Sequence, residues 1–403
     1  MSVRYGLLAL LRDHGPQSRA QLAGWLQVPR PRVLAELDRL TAAGTIVEAG
    51  PTPSRGGRRS TLVKLDPGLR FAAIDLDARS VGVEVTDGCL RAVASHSEHC
   101  DIRTGPETVL GRVTQILDKI RAEGHFTRLE AIGIGLPGPV SFREGVPVSP
   151  PIMPGWDRHP VRDVLSGEHG CPVAVDNDVN VMTLGERHSG VARTVDNLIF
   201  VKIGSGIGCG VQIDGRVYRG ATGCAGDIGH IQVDGDGPVC VCGNVGCLEA
   251  HFSRESLTRH AESAADGDRS PVLAERLAAK GSLTARDVAD GAAAGDAVCI
   301  GIVRGGGRRV GQVLAGLVSF MNPSMIVIGG DLADLGHILL AELRSVVYQR
   351  SLPLATGALP IVLSELGARA GVVGAAVLAS ELAYGGPSGR APGRPRPRHA
   401  SGE

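Results

Sequence analysis

Apolar residues follow two different patterns within the first 66 residues. Apolar residues recur at helical spacing and then in short runs that fit strands. Ser18 opens Ser-Arg-Ala-Gln, a capping box in which Gln21 reaches back to the helix start, and Gly44 is placed to end a later helix. The predicted elements are three helices and then two strands, at residues 3–14, 18–27, 31–43, 45–48 and 61–65. Three helices and a two-stranded wing are typical of a winged helix-turn-helix.

From residue 67 to residue 384, short apolar runs alternate with amphipathic stretches. The predicted strands lie at residues 71–76, 81–85, 131–135, 173–175, 198–203, 211–213, 231–233 and 326–328. The predicted helices lie at residues 107–123, 161–169, 257–260, 272–279, 285–293, 298–320 and 372–383. This alternation indicates layered helices and sheets, an α/β fold. The last residues are rich in Pro, Gly and Arg, and we expect a disordered basic tail.

Charge is unevenly spread along a chain whose net charge is zero. Residues 1–66 carry ten Arg or Lys against five Asp or Glu, whereas residues 67–384 carry 28 against 36. A basic N-terminal segment followed by an acidic remainder favours a polyanion-binding module joined to a separate sensor domain.

The arginines of the first segment suit DNA. Arg30 and Arg32 begin the third predicted helix, where side chains enter a major groove. Arg55, Arg58 and Arg59 lie on the wing, which is thin enough for a minor groove or a phosphate backbone. The sequence therefore predicts DNA binding, and the alternative is a winged helix used for protein docking or dimerisation.

Export and membrane insertion are disfavoured. The apolar run at residues 6–11 is too short for a signal peptide. Residues 310–330 are uncharged, but Asn322 and Pro323 indicate a helix end before a buried strand rather than a membrane span. Nine cysteines without a secretory signal indicate a reducing cytoplasm, where clustered cysteines bind metal more often than they form disulfides.

Four stretches carry the candidate chemistry. Residues 133–140 form a strand and a tight turn, residues 177–180 (Asn-Asp-Val-Asn) follow a strand, and residues 204–210 form a glycine loop that suits anion binding. Gly-Asp-Ile-Gly-His at 226–230 leads into Cys-Val-Cys-Gly-Asn-Val-Gly-Cys-Leu-Glu at 240–249. Together these stretches resemble the ROK family of repressors and sugar kinases. The winged helix, with its Gly-Gly-Arg motif, resembles the regulator branch of that family.

The resemblance implies an actin-like (ribonuclease H-like), two-lobed sugar-kinase fold behind the winged helix-turn-helix domain. It divides the chain into a DNA-binding domain, a first α/β lobe, a second α/β lobe with a zinc loop, and the tail, at residues 1–66, 67–195, 196–384 and 385–403. The closing helix, residues 372–384, is expected to pack back on the first lobe. A homodimer or tetramer is expected from the resemblance alone.

Three cysteines and a histidine form a candidate metal site. His230, Cys240, Cys242 and Cys247 supply one imidazole and three thiolates, a closed tetrahedral set for structural zinc that leaves no position for a catalytic water. Structural zinc contributes about 10–16 kcal/mol of apparent binding free energy, enough to hold a glycine-rich loop. The alternative is three reduced surface cysteines.

The resemblance also implies a sugar site. Its residues are Gly138, Asn177, Asp178, Asp227, His230 and Glu249. His230 would reach a hydroxyl through the ring nitrogen that does not bind metal. Asp227 stands where family kinases carry Glu, so its reach is about 1.5 Å shorter and a shifted contact or a different sugar is expected. The alternative is a polar network with a structural role only.

Asp178 matches the family's general base, which takes the proton of the sugar hydroxyl that attacks ATP. Family kinases open with Asp-x-Gly-x-Thr, whereas this chain has Asp75 and Asp77 in Asp-Leu-Asp-Ala-Arg-Ser, so a carboxylate replaces the phosphate-facing glycine. At about 4 Å and an effective dielectric of about 20, the repulsion is about 4 kcal/mol, so ATP and Mg²⁺ are not expected to bind. The other nucleotide-loop glycines are Gly204, Gly206, Gly208, Gly329 and Gly330, which equally suit hinges and turns.

The expected function is a cytoplasmic, DNA-binding transcriptional regulator of carbohydrate metabolism, most simply a repressor and nucleoid-associated when bound to its operator. It would respond to a sugar or sugar phosphate held in a degenerate kinase cleft. One alternative is an ATP-dependent sugar kinase with an appended winged helix. Another is a scaffold that senses a partner protein rather than a free sugar.

Overall fold

The computed structural model describes residues 2–51, 61–267 and 269–386. Its first elements are Val3–His14 (α1), Gln17–Ser18 (β1), Arg19–Leu26 (α2), Arg30–Ala42 (α3), Ile46–Pro51 (β2) and Thr61–Leu65 (β3). The strands form an antiparallel sheet in the order β1-β3-β2. The predicted capping box is confirmed, because the Gln21 N–H donates to Ser18 Oγ (3.2 Å) and the Ser18 N–H donates to Gln21 Oε1 (3.0 Å).

A five-stranded sheet forms the first lobe. The strands and helices of this lobe are Phe71–Leu76 (β4), Ser80–Thr86 (β5), Ala92–His99 (β6), Pro106–Ala122 (α4), Ala131–Leu136 (β7), Val140–Ser141 (β8), Val146–Pro147 (β9), Val161–His169 (α5), Val173–Asn177 (β10) and Asp178–Ser189 (α6). The sheet order is β6-β5-β4-β7-β10, and β8 and β9 pair as a separate hairpin. Strands β4, β7 and β10 are parallel, whereas β5 and β6 are antiparallel to their neighbours.

A second five-stranded sheet forms the other lobe. Its sheet strands are Leu198–Ile203 (β11), Ile207–Ile213 (β12), Arg216–Val217 (β13), Met325–Gly329 (β14) and Ile361–Leu363 (β15), in the order β13-β12-β11-β14-β15. The helices of this part are Leu248–His251 (α7), Arg254–Asp266 (α8), Pro271–Lys280 (α9), Ala285–Ala293 (α10), Ala297–Met321 (α11), Gly336–Arg350 (α12), Pro353–Thr356 (α13) and Ala370–Tyr384 (α14). Short 3₁₀ helices lie at Ile102–Thr104, Ile228–His230, Asp331–Leu335 and Gly367–Arg369.

The two sheets share one topology. Numbered within each lobe, both run 3-2-1-4-5, with the first, fourth and fifth strands parallel. Parallel strands that are buried on both faces are continuous apolar runs in the sequence, which is why five of the six parallel strands were predicted. The sixth, the three-residue strand β15, was not. The repeated topology confirms the predicted α/β, actin-like, two-lobed fold.

Helix α14 belongs spatially to the first lobe, although it closes the chain. It packs against β4, β7 and α6. The hydrophobic core under α1 and α3 continues into Phe71 of β4 and Tyr384 of α14. The N-terminal helices therefore pack directly against the first lobe and are not connected to it by a linker alone.

Two local predictions are wrong. Residues 231–233 are not a strand, because Gln232 makes only one isolated bridge, to Cys247, in a segment that turns repeatedly at glycines. The glycine loop ends early, since Ile207–Ile213 is strand β12 with apolar residues packed inward against β11. Of the helices in the described ranges, none has both the length and the apolar character needed to cross a bilayer.

Candidate functional site

A cleft of about 790 Å³ opens between the two lobes. The loops at the carboxyl ends of β7 and β10 form one wall, and the loop after β11 forms the opposite wall. The structure brings together at this cleft all six residues of the predicted sugar site: Gly138, Asn177, Asp178, Asp227, His230 and Glu249.

The first wall is built by the start of α6. Asn177 caps this helix, since its Oδ1 accepts from the N–H groups of Val179 (2.9 Å) and Asn180 (3.3 Å). Its amide donates to the carbonyl of Gly138 (2.9 Å), a residue with φ of 82°. One proton of the Asn177 amide remains for a ligand, because an amide nitrogen carries two donors. The cap thus fixes Asp178, the first helical residue, at the cleft.

Glu249 forms part of the opposite wall. Its carboxylate accepts a hydrogen bond from the Ile207 N–H (3.1 Å), and a Cβ at Gly206 would lie 2.7 Å from the same oxygen. Gly206 is therefore required for this close approach. Burial raises the pKa of Glu249. Asp227 is more open, with its side chain 41% exposed and its Oδ1 3.9 Å from His230 Nε2.

The four predicted metal ligands converge on one point. Their ligand atoms all lie within 4.8 Å of one another. His230 Nδ1 is 3.5 Å from Cys240 Sγ, and Cys242 Sγ is 3.7 Å from Cys247 Sγ. A tetrahedron with metal–sulfur bonds of about 2.3 Å has edges of about 3.8 Å, so these separations fit a four-coordinate ion. His230 Nδ1 faces the sulfurs, and its Nε2 is left facing the cleft.

A lysine that the sequence reasoning missed lies between the lobes. Lys202 of β11 extends its ammonium to Asp77 Oδ1 (2.8 Å) and to Asp178 Oδ2 (2.6 Å). Burial alone would raise the pKa of Asp77, but the ammonium overcomes it and lowers that pKa to about 2. Burial would lower the pKa of Lys202, but the two carboxylates raise it above its usual value. Burial raises the pKa of Asp178, an effect that Lys202 opposes.

This finding changes the argument about Asp77. The sequence predicts that the Asp77 carboxylate repels a phosphate group in the nucleotide loop. The repulsion is weaker than for an unpaired carboxylate, because Lys202 pairs with Asp77, whereas Arg79 lies 3.8 Å from Glu255. The signal was present in the sequence as a single lysine inside the apolar strand Leu-Ile-Phe-Val-Lys-Ile.

The remaining nucleotide loops are occupied by protein contacts. Asp331 fills the space above Gly204 and forms a close ion pair with Arg254. Gly330, with φ of 85°, lies so close to the backbone of Ile203 that a side chain would collide with it. A second cavity of about 620 Å³ lies beyond Arg254 and Asp331.

The other three nucleotide-loop positions also have packing roles. Asp75 lies against Gly371 at the start of α14, and burial raises its pKa to about 7. Gly208 faces Val179, and Gly329 faces the ring of Phe200, at distances that leave no room for a side chain. Packing alone therefore accounts for the glycines that resemble a nucleotide site.

The candidate DNA-contacting residues fall into two groups. Arg30 and Arg32 lie in the first turn of α3, both exposed to solvent. Arg55, Arg58 and Arg59 lie outside the described residues.

Comparisons with known proteins fit this architecture. The xylose repressor of Caldicellulosiruptor bescii is 28% identical over 395 residues, covering 94% of this chain and 96% of its own. The crystal structure of a ROK family transcriptional regulator, a homologue of the Escherichia coli MLC protein, superposes with a TM-score of 0.82 at 26% identity, covering 94% of this chain and 95% of that one.

A kinase structure matches a smaller share of this chain. The ROK family glucokinase of Streptomyces griseus, solved with glucose and AMPPNP, has a TM-score of 0.68 at 28% identity and covers 77% of this chain but 99% of its own. The model of the ROK family matches residues 72–382. The two-lobed body with its cysteine loop therefore identifies this chain as a member of the ROK family.

Proposed function

We propose that this protein is a DNA-binding transcriptional repressor of carbohydrate metabolism whose kinase-like cleft binds a sugar effector. The observation that carries the proposal is the extent of the matches. The xylose repressor and the ROK family regulator each align over 94% of the chain, whereas the glucokinase structure covers 77% of it. The three helices and the β-hairpin at residues 3–65 are interpreted as a winged helix-turn-helix.

The DNA-binding face is proposed to be the start of α3. Pro29 leaves the helix N-terminus without a side-chain cap, and Arg30 and Arg32 project from the first turn. Exposed guanidinium groups at the N-terminal end of a recognition helix suit phosphates and guanine edges. Arg55, Arg58 and Arg59 are proposed to contact DNA from the wing. Helix-turn-helix proteins bind two half-sites as dimers, so a homodimer or tetramer in the cytoplasm is part of the proposal.

We expect Arg30→Ala combined with Arg32→Ala to weaken operator binding by at least tenfold, because each contact to DNA is worth about 1–3 kcal/mol. Fluorescence anisotropy with the DNA upstream of the protein's own gene, at two salt concentrations, measures the affinity and its salt slope. The slope should become shallower because fewer counterions are released.

The matched control is Arg39→Ala. Arg39 lies at the other end of α3 and pairs with Glu36. Equal affinity of the double variant and the control, or no binding of this DNA under any condition, would contradict the proposed operator face.

The proposed metal is structural zinc, held by His230, Cys240, Cys242 and Cys247. When bound, the ion supplies only cross-linking, because four protein ligands complete its tetrahedron. The chain's own contribution is to orient His230, whose Nε2 then faces the sugar hydroxyls, and to place Glu249 two residues beyond the last cysteine.

The sugar is proposed to bind between the lobes, touching Gly138, Asn177 and Asp178 on one side and Asp227, His230 and Glu249 on the other. A ligand that contacts both lobes stabilises the closed arrangement in proportion to its preference for that state. Closure would change the spacing of the two recognition helices in a dimer and release the operator.

A sugar kinase is the second candidate, favoured by the likeness to the glucokinase structure and by Asp178 in the cleft. We expect no ADP release from ATP, Mg²⁺ and a hexose panel, because the Lys202 ammonium occupies the base and because Asp77, Arg254 and Asp331 fill the phosphate path. A coupled-enzyme assay measures turnover. ADP release that Asp178→Asn abolishes would establish the kinase instead.

A further inference from the structure

Lys202 is a buried cation at the junction of the two lobes. Its side chain is 12% exposed, and its ammonium is held by one carboxylate from the hairpin of β4 and β5 and another from the start of α6. Asp77 also accepts from Ser205 Oγ (3.2 Å) and lies 3.9 Å from the guanidinium of Arg254. These contacts form a continuous network that joins both lobes.

The network separates the cleft from the second cavity. Lys202 and Asp178 line the cleft, Arg254 and Asp331 line the second cavity, and Asp77 contacts both cations. In a kinase of this fold, phosphate must lie between the sugar and the nucleotide. Here protein charges fill that position.

The charge balance of the network disfavours phosphate. Lys202 and Arg254 supply two positive charges, whereas Asp77, Asp178 and Asp331 supply three negative ones. A phosphate monoester carries a charge of about −1.5 to −2 at neutral pH and would face a net negative surface. An ammonium has three protons, and two are directed at carboxylates, so one remains for a neutral hydroxyl.

We propose that the charged network around Lys202 sets the ligand class of the cleft, which accepts an unphosphorylated sugar and rejects a sugar phosphate. This inference rests on the proposed sugar-responsive function and narrows its effector. The sugar hydroxyl that faces Asp178 is the one that kinases of the family phosphorylate, so the phosphate of their product would meet the network directly. Lys202 donates to that hydroxyl and shields it from the carboxylates.

Calorimetry of the full-length protein tests this specificity. The probes are D-xylose, D-glucose, D-mannose and N-acetyl-D-glucosamine, together with glucose 6-phosphate, mannose 6-phosphate and N-acetyl-D-glucosamine 6-phosphate. We expect the best neutral sugar to bind at least about tenfold tighter than its own phosphate, the factor that corresponds to about 1.4 kcal/mol.

The variant Asp77→Asn tests whether the negative charge of the network causes the rejection of sugar phosphates. It removes one negative charge and frees one Lys202 proton, so the preference for the neutral sugar should fall by about tenfold or more. Asp334→Asn is the matched control. The substitution makes the same chemical change, but Asp334 lines the second cavity and not the cleft that contains Lys202. A merely structural role of Asp77 would weaken both ligands alike and leave their ratio unchanged.

The outcomes are separable. If the unmodified protein binds a sugar phosphate as tightly as the parent sugar, the Lys202 proposal is overturned and the sugar-responsive repressor stands; this comparison holds even if Asp77→Asn does not fold. An unchanged ratio in a folded Asp77→Asn variant also overturns it. Absence of heat with every probe, neutral or phosphorylated, would sink the proposed effector function together with this inference.

Discussion

Replacing Cys247 with serine is expected to abolish zinc binding and to weaken sugar binding by at least a hundredfold. Cys247 is fully buried and is the residue immediately before α7, which carries Glu249 into the cleft. The backbone N–H of Leu248 donates to the carbonyl of Ile231 (2.9 Å), so the cysteine loop and the Glu249 wall are one unit. Without the metal, neither wall residue of this unit, Glu249 or His230, keeps its position.

The size of the effect follows from how little else holds this loop. Among the described residues, the regular backbone pairing of residues 231–247 consists of two isolated β-bridges. Val239 and Val241 are 74% and 64% exposed rather than packed in a core. Structural zinc contributes about 10–16 kcal/mol of apparent binding free energy, comparable to the about 5–15 kcal/mol that keeps a whole domain folded. Loss of the ion should therefore unfold the loop and lower the melting temperature.

Metal analysis, calorimetry with the best sugar and thermal unfolding measure these three effects. About one zinc per chain is expected in the unmodified protein. Cys100→Ser is the control, because Cys100 is a partly buried cysteine of the first lobe outside the ligand cluster. A chelator should reproduce the Cys247→Ser phenotype, and added zinc should reverse it only in the unmodified protein. Normal sugar binding by a zinc-free protein would refute the structural role.

The metal cluster could be predicted because it is nearly local. Three of its ligands lie within eight residues, and the fourth precedes them by ten, so spacing alone brings them together. The same holds for the helices α1 and α3 and for the central strands, whose apolar patterns match their burial. Such features could be predicted because all the residues that define each of them lie in one short segment of the sequence.

The ion network around Lys202 shows the opposite case. It joins residues 77, 178, 202, 254 and 331, which five different elements bring to one point. No local pattern contains that information, because a charge inside a strand says that a partner exists but not where it lies. The sequence identified Asp77 as unusual but did not reveal its counter-charge, since the neutralising cation lies 125 residues away.

Helix α6 was missed for a different physical reason. It is buried almost all round and includes buried polar residues such as Asn180, Thr183 and Glu186, so it has no polar face whose period would reveal a helix. Its neighbour α14 approaches so closely that a Cβ at Gly185 or Gly374 would collide with the other helix's backbone. These two helices are the physical link between the cleft and the N-terminal segment.

Helix α6 connects the two proposed binding sites directly. Its first residue, Asp178, lines the cleft, and near its other end His188 Nε2 lies 3.1 Å from Asp13 Oδ1 of α1. Twelve helical residues span about 18 Å. Asp13 also holds the buried Arg12 (2.7 Å), whose Nη1 donates to Ser380 Oγ of α14 (2.9 Å). A shift of α6 on sugar binding would therefore reach the N-terminal segment through defined hydrogen bonds.

Removing these contacts with His188→Ala and Ser380→Ala is expected to uncouple the two sites. Operator affinity without sugar and sugar affinity without DNA should change little, because neither residue is proposed to touch either ligand. The sugar-induced change in operator affinity should fall by about tenfold, within the 1–3 kcal/mol typical of coupling between sites. Anisotropy titrations of operator DNA with and without saturating sugar give this ratio.

The control is His96→Ala, which removes a histidine–carboxylate contact of the same kind, to Glu98, on the outer strand β6. Because coupling is reciprocal, the same loss must appear when sugar affinity is measured with and without operator DNA. A double variant that keeps the full sugar response would mean that the signal does not pass through α1, α6 and α14. The movement would then have to pass through the opening and closing of the second lobe, with the N-terminal segment carried as a rigid attachment of the first.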